Sequence, residues 1–137
     1  MTSMNGKSFL LDTNILIGLF AKDKSILNQL SEAEKNGLII YVPVICIGEL
    51  YYGAEQSIQK ENNLKRIEGL TEATEVLECD ENTAAWYGKI KSQLKLQGKP
   101  IPENDIWIAA LSKQYNLVLV TRDNHFKNIQ EIELAEW

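Results

Sequence analysis

Four acidic residues interrupt strongly apolar parts of the sequence, at the end of a strand-like run or inside a helix-like one: Asp12, Glu49, Asp105 and Asp123. A carboxylate among apolar side chains costs several kcal/mol unless another group neutralises it. Carboxylates brought together would also repel one another, and a divalent cation is the usual means of relieving that repulsion. These residue types in this pattern therefore predict a metal-dependent site for phosphate chemistry.

Each of these acids also has an ordinary structural explanation. Asp12 could cap the helix that follows it, and Asp105 could be a first-turn carboxylate favoured by the helix dipole. Glu49 could be an exposed helix residue, and Asp123 could belong to an ordinary turn. The functional interpretation is favoured because the acids occur together in this order, and because Asn14 adds a second polar group soon after Asp12.

Short apolar runs alternate with longer amphipathic stretches, which predicts strands that alternate with helices. Strands are predicted at 9–11, 38–42, 75–79 and 117–120, with a weaker one at 129–134. Helices are predicted at 14–20, 24–36, 44–57, 60–70, 81–96 and 103–115, with stops at Gly37, Gly69 and Asn116 and a cap at Asp80. This order implies crossover connections and a mostly parallel sheet with helices on both faces, so we expect one α/β domain over residues 1–137.

Ligands bind at the carboxyl ends of the strands in sheets of this kind. Asp12 directly follows the first predicted strand, and Asp123 follows the late apolar strand, so we expect both side chains at one edge of the sheet. Glu49 is predicted to point among apolar groups, because it shares a helix face with Ile45 and Tyr52.

Composition and charge exclude several classes of protein. The net charge of −5 and the pI of about 4.9 argue against a general binder of nucleic-acid duplexes, but are compatible with a nuclease whose acids hold a metal. No apolar run approaches the ~20 residues needed to span a bilayer, and residues 1–8 lack the apolar segment of a signal peptide. We therefore expect a cytoplasmic protein with no membrane segment.

Cysteine and histidine content excludes other chemistry. The chain has two cysteines and one histidine, without the spacing of a zinc site, which argues against bound zinc and against a nucleophilic triad. We expect Cys46 and Cys79 to be buried free thiols, and His125 to be a surface or turn residue. The glycine motifs of P-loop and dinucleotide-binding proteins are absent from the sequence.

Aromatic and basic residues have simple explanations as packing or solvent-facing groups. We expect packing rather than base stacking for the tryptophans, which are Trp86, Trp107 and Trp137. A helical stripe of lysines is expected to face solvent, with contact to a phosphate backbone as the alternative: Lys91, Lys95 and Lys99.

The local motifs around the acids resemble those of the PIN-domain nucleases. The resemblance is carried by residues 11–16 (Leu-Asp-Thr-Asn-Ile-Leu), 49–53, 101–110 and 121–126. Within that family, the chain is similar to the VapC-type toxins of bacterial toxin–antitoxin pairs, and the similarity extends over residues 10–137.

This resemblance implies a three-layer α/β/α sandwich on a mostly parallel sheet, Mg²⁺- or Mn²⁺-dependent RNA cleavage, a homodimer, and a cognate antitoxin whose tail covers the active site. It implies that the catalytic and metal-binding acids are Asp12, Glu49, Asp105 and Asp123. Carried over by position, it also implies supporting polar roles for Asn14 and Thr121.

The mechanism that we expect is hydrolysis of an RNA phosphodiester by a water whose pKa is lowered by a carboxylate-held cation. In this hypothesis Glu49 helps to activate or orient the water, while Asn14 and Thr121 orient carboxylates or the waters of the metal. An antitoxin that inserts Arg or Lys would neutralise the acids and block entry of the metal.

Two rival interpretations remain open at this point. One is another Mg²⁺-dependent phosphotransfer protein, such as a phosphatase or a receiver domain. A phosphatase of the haloacid-dehalogenase type would have Asp-x-Asp-x-Thr, where this chain has Asn14 at the second Asp, and a receiver domain would have an acidic pair after the first strand. The other rival is a non-catalytic PIN-like partner of a DNA-binding antitoxin.

Overall fold

A five-stranded parallel sheet forms the centre of the computed structural model, which describes residues 7–137. Our expectation about a signal peptide concerned residues 1–8, so most of it lies outside the described residues. The elements are β1 (Phe9–Leu11), α1 (Thr13–Phe20), α2 (Lys24–Lys35), β2 (Ile40–Pro43), α3 (Val44–Glu55), α4 (Lys60–Ala73), β3 (Glu75–Leu77), α5 (Glu81–Leu96), α6 (Glu103–Tyr115), β4 (Val118–Val120), a 3₁₀ helix (Asn124–Asn128) and β5 (Leu134–Ala135).

The strand order in the sheet is β3-β2-β1-β4-β5, and every neighbouring pair is parallel. This confirms the predicted α/β fold with a parallel central sheet. The central strands β1 and β4 are buried along their whole length, because apolar layers cover both faces, whereas the edge strands β3 and β5 are partly exposed. No helix among the described residues is long and apolar enough to cross a membrane.

Several helix ends follow from side-chain chemistry that the sequence predicts. Asp80 caps α5 in a reciprocal capping box with Thr83, which satisfies main-chain N–H groups that have no partner within the helix. Asn116 ends α6 in the left-handed conformation, with a φ of 55°, and Gly37 follows α2 with a φ of 71°.

Other boundaries differ from the prediction. The helix predicted to stop at Gly69 continues to Ala73, because Gly69 keeps a helical conformation and Ile67 and Leu70 on either side of it are buried. The strand predicted at 129–134 is shorter and lies later, at Leu134–Ala135, because Glu131 takes a left-handed conformation with a φ of 56° that interrupts the extended backbone before it. Both residues of β5 pair with the last two residues of β4, Leu134 with Leu119 and Ala135 with Val120.

The packing roles expected for the tryptophans are confirmed for two of them. Trp137 is buried and meets Phe9 edge-to-face at 5.1 Å between ring centroids, and Trp107 stacks on Tyr87 at 4.2 Å. The expectation for Cys79 is wrong. This thiol is exposed, because β3 ends at Leu77 and the chain leaves the sheet before reaching it.

Gly18 allows α1 and α2 to approach closely. A methyl group placed at Gly18 would collide with the Cδ1 atom of Ile26, whose side chain is fully buried. We expect Gly18→Ala to lower the free energy of unfolding by about 1–2 kcal/mol in urea denaturation, because overpacking outweighs the better helix propensity of Ala.

Two control variants separate this collision from helix propensity. Gly88→Ala adds a methyl group in α5 with nothing within 4 Å, and should raise the free energy of unfolding by up to about 1 kcal/mol. Ile26→Val removes the colliding Cδ1 atom, so Gly18→Ala should be much less destabilising in that background. An equal loss in both backgrounds would show that the contact with Ile26 is not the cause.

Candidate active site

The candidate site lies at the carboxyl ends of β1 and β4, where the sheet places Asp12 beside Thr121. Leu11 pairs with Val120 in the register of these strands, and the main-chain N–H of Asp12 donates to the carbonyl of Val120 at 3.0 Å. Because the strands run parallel and end together, the first polar residue after each of them reaches the same point.

The side chain of Asp12 is held by two hydrogen bonds and is only 4% exposed. The main-chain N–H of Thr13 donates to its Oδ1 at 2.8 Å, and the hydroxyl of Thr121 donates to its Oδ2 at 2.7 Å. The first bond caps α1, as the simple structural explanation requires. The second comes from the strand-end residue of a different element and fixes the direction of the carboxylate.

Glu49 reaches the site from the middle of α3. The hydroxyl of Thr13 donates to Glu49 Oε1 at 2.9 Å, so Thr13 connects Glu49 with Asp12. The expectation that Glu49 points among buried apolar groups is wrong in part, because Tyr52 on the same helix face is 70% exposed. The buried side of α3 is another one, formed by Cys46, Ile47, Leu50 and Ala54.

Asp105 and Asp123 meet at the ring of His125. Asp105 lies in the first turn of α6, and Asp123 directly precedes the 3₁₀ helix that carries His125. The Nδ1 atom of His125 is 3.3 Å from Asp105 Oδ2 and 3.1 Å from Asp123 Oδ1. One ligand atom from each of these residues lies within 4.8 Å of the others, a spacing that could hold a metal ion.

The acids influence one another's protonation. Burial, followed by the negative charge of Asp12, raises the pKa of Asp105 from 3.8 to about 6, partly opposed by the hydrogen bond with His125. Burial also raises the pKa of Asp12, and the charges of Asp123 and Glu49 act in the same direction. Sequence-distant acids therefore form one electrostatic unit, and a bound cation would favour its fully ionised form.

The two supporting residues make different contacts. Thr121 is buried, and its hydroxyl accepts a hydrogen bond from the main-chain N–H of Asp123 at 3.0 Å while donating to Asp12. Among the residues that the structure describes, Asn14 bonds to no carboxylate. Its Oδ1 accepts from the main-chain N–H of Arg122 at 3.3 Å, so it tethers the loop that carries Thr121 and Asp123.

Three residues at the site were missed by reasoning from the sequence: Thr13, Arg122 and His125. Arg122 donates from Nε to the main-chain oxygen of Trp137 at 2.7 Å and pairs with Asp23 at 3.0 Å, which anchors the loop after β4. The one available signal for His125 was its position two residues after Asp123. Its approach to Asp105 depends on tertiary structure.

A buried thiol lies beneath the acids. Cys46 is fully buried, as expected, and its Sγ is 3.9 Å from the carbonyl oxygen of Leu11, which it contacts as a donor. Burial raises the pKa of Cys46 well above its ordinary value, and the charges of Asp12, Glu49 and Asp105 add to that effect.

Comparison with known proteins identifies relatives over nearly the whole chain. The sequence profile described as the PIN domain matches residues 9–132. A ribonuclease VapC2 from Haemophilus influenzae is 36% identical over 130 residues, which cover 94% of this chain and 97% of that protein. The tRNA(fMet)-specific endonuclease VapC of Shigella flexneri is 30% identical over 130 residues, again 94% of this chain and 97% of that protein.

Among solved structures, one strong match is the crystal structure of VapBC2 from Rickettsia felis bound to a DNA fragment from their promoter. It has a TM-score of 0.88 and 29% sequence identity, and the match covers 94% of this chain and 98% of that chain. The arrangement of strands and helices is therefore shared with that structure over nearly the whole chain.

Stability should depend on pH through Asp105. Because its pKa is raised from 3.8 to about 6, its contribution to stability is fully present below the lower value and is lost as the pH rises through the upper one. We expect Asp105→Asn to raise the free energy of unfolding of the metal-free protein by about 1–3 kcal/mol at about pH 8, with a smaller effect at about pH 4. Urea denaturation in EDTA measures both values.

Glu103 on the same helix provides the matched control. Lys91 and Tyr87 lower the pKa of Glu103 by hydrogen bonding, so Glu103→Gln should not stabilise the protein at neutral pH. A loss of stability in Asp105→Asn at about pH 8 would contradict the electrostatic account of the site.

Proposed function

The chain belongs to the PIN domain family, and we propose on that basis that it is a metal-dependent endoribonuclease, the toxin of a toxin–antitoxin pair. It cleaves RNA, and its protein partner is an antitoxin. The observation that carries the proposal is the coupling of Asp12, Asp105 and Asp123 across three different elements at the carboxyl edge of the sheet. The rival phosphatase and receiver interpretations are set aside, because the family match spans almost the whole chain.

The donor set at this edge fits a hard divalent cation. Two of its members, Asp12 and Asp105, have pKa values that are raised by burial and by neighbouring carboxylates, a condition that a cation reverses. We propose Mg²⁺ as the cation, with Mn²⁺ as the alternative, held by Asp12, Asp105 and Asp123 with help from Glu49. When bound, the cation supplies Lewis-acid activation of water and neutralises charge on the phosphate.

The roles of the protein groups follow from their contacts. The main-chain N–H of Thr13 donates to one oxygen of Asp12, and the hydroxyl of Thr121 donates to the other. These two bonds favour the ionised carboxylate and fix its orientation before substrate arrives. Glu49 is fixed through Thr13 at one oxygen, and we propose that its carboxylate takes a proton from the attacking water. Asn14 acts on the carboxylates indirectly, because it holds the loop that carries Thr121 and Asp123.

A groove beside the site suits a segment of the antitoxin. It has a volume of about 450 Å³, begins at Thr13 and Glu49, and is otherwise lined mainly by apolar groups such as Ile17 and Ile67. Ile17 is 56% exposed, so this apolar side chain of the groove is accessible to a partner. We propose that an apolar segment of the partner occupies the groove, and that a basic side chain reaches the acids.

The biological proposal also concerns the assembly of the toxin, its control by the antitoxin and its RNA target. We propose that the toxin forms a homodimer in the cytoplasm, where it is held inactive by the antitoxin until that protein is lost. Transfer RNAs are the first substrates to assay, because the relative from Shigella flexneri is named for tRNA(fMet).

RNA cleavage tests the catalytic assignment. We expect Asp12→Asn and Asp105→Asn each to lower the cleavage rate by at least about 100-fold, since each removes a charge that holds the cation. EDTA should abolish wild-type cleavage, and added Mg²⁺ or Mn²⁺ should restore it. The assay uses purified transfer, ribosomal and messenger RNAs, with folding of each variant checked by circular dichroism.

Glu103→Gln is the control, because it makes the same change of charge on the same helix while its side chain contacts Lys91 and Tyr87 instead of the acids. It should cleave at the wild-type rate. Wild-type rates in both Asp variants, or cleavage that persists in EDTA, would refute the catalytic assignment.

Antitoxin binding tests the groove. Ile17→Asp places a charge on the apolar lining, so we expect the affinity for the antitoxin to fall by about tenfold or more in calorimetry. Ile58→Asp is the matched control, because Ile58 is fully exposed and does not line the groove. Equal affinities in the two variants would exclude the groove as the contact surface.

A further inference from the structure

We propose that His125 supplies a nitrogen ligand, through Nδ1, to the divalent cation at this site. We infer in addition that this ligand shifts the preference of the site from Mg²⁺ toward Mn²⁺ and similar transition metals. The inference rests on the proposed function, since it concerns the cation that the nuclease uses. It assigns to His125 a role as a metal ligand, which the acids alone do not imply.

The distances around Nδ1 carry the first step. Adjacent ligands of an octahedral ion with bonds of about 2.1 Å are separated by about 3.0 Å. The Nδ1 atom of His125 is 3.1 Å from Asp123 Oδ1 and 3.3 Å from Asp105 Oδ2. These spacings match adjacent corners of such a coordination shell, so one ion could contact all three atoms after small shifts of the side chains.

The local structure holds the backbone of His125 near the acids. The main-chain N–H of His125 donates to Asp123 Oδ1 at 2.9 Å, which holds the first turn of the 3₁₀ helix against the carboxylate. The next residue, Phe126, is fully buried and anchors that helix in the core. Although 49% of its side chain is exposed, His125 therefore extends from a backbone that two contacts constrain.

Ligand chemistry carries the second step. Mg²⁺ prefers oxygen ligands and gives up its waters reluctantly, whereas first-row transition metals accept imidazole nitrogen more readily. A site built from carboxylates alone would distinguish Mg²⁺ from Mn²⁺ weakly. If the Nδ1 atom of His125 replaces one oxygen ligand or water, the affinity of the site for Mn²⁺ rises more than its affinity for Mg²⁺.

A purely structural role is the competing explanation. In that case an Nδ1–H group of His125 would donate to Asp105 or Asp123 and would simply hold the two carboxylates together. Both explanations predict that loss of His125 weakens metal binding, so affinity alone does not separate them. Direct bonding of nitrogen to the metal gives a spectroscopic signature that a hydrogen bond to the carboxylates does not.

The experiment uses pulsed electron paramagnetic resonance of Mn²⁺ bound to the full chain, without a histidine tag. We expect a nitrogen coupling in the wild type that changes when histidine is labelled with ¹⁵N. Because His125 is the single histidine of the sequence, this signal identifies it without further assignment. His125→Gln should abolish the coupling, and Lys127→Gln, on the same 3₁₀ helix, should retain it.

Calorimetry with MnCl₂ and MgCl₂ on the same proteins gives the second readout. His125→Gln should lower the affinity for Mn²⁺ by about tenfold or more and the affinity for Mg²⁺ by less. Bound Mn²⁺ without nitrogen coupling in the wild type would overturn the inference and leave the proposed nuclease intact. Failure of either cation to bind the wild type would overturn both, and loss of the coupling in Lys127→Gln would also count against direct ligation.

Discussion

Repulsion between like charges at a partly buried sheet edge is the constraint on which the arrangement of this site depends. Asp12 is nearly inaccessible to solvent, its charge disfavours ionisation of Asp105, and the charges of Asp123 and Glu49 disfavour ionisation of Asp12. The fold tolerates this because both oxygens of Asp12 receive hydrogen bonds, from Thr13 and from Thr121. The remaining repulsion is stored until a cation binds, so folding and metal binding act on the same carboxylates.

The loop after β4 is the element that converts the sheet into a site. Thr121 bonds to Asp12 and to the main chain of Asp123, while Arg122 points the other way and joins α2 to the end of the chain through Asp23 and Trp137. In this short loop, Thr121 and Asp123 contribute to the site, whereas Arg122 between them anchors the loop to the rest of the fold. A loop held on both sides can position a carboxylate more accurately than a loop fixed only at its ends.

The sequence is most informative where a signal is local. Asp12 could be predicted because it interrupts apolar residues at a strand end, and the strands themselves follow from continuous apolar runs. His125 could not be predicted, because its contact with Asp105 joins residues 20 positions apart through the packing of α6. Gly69 and Cys79 were misjudged because local signals do not set the ends of elements: burial of Ile67 and Leu70 favours the helix past Gly69, and the strand ends at Leu77 although its alternating pattern continues to Cys79.

Cys46 illustrates how the same charges affect a group that takes no part in catalysis. A thiol must lose its proton before it attacks electrophiles or captures soft metal ions. Burial and the neighbouring carboxylates hold the pKa of Cys46 well above its ordinary value, so the thiolate is suppressed. The nuclease therefore carries a sulfur atom near its acids whose protonated form is favoured, which disfavours both nucleophilic attack and capture of soft metal ions by that thiol.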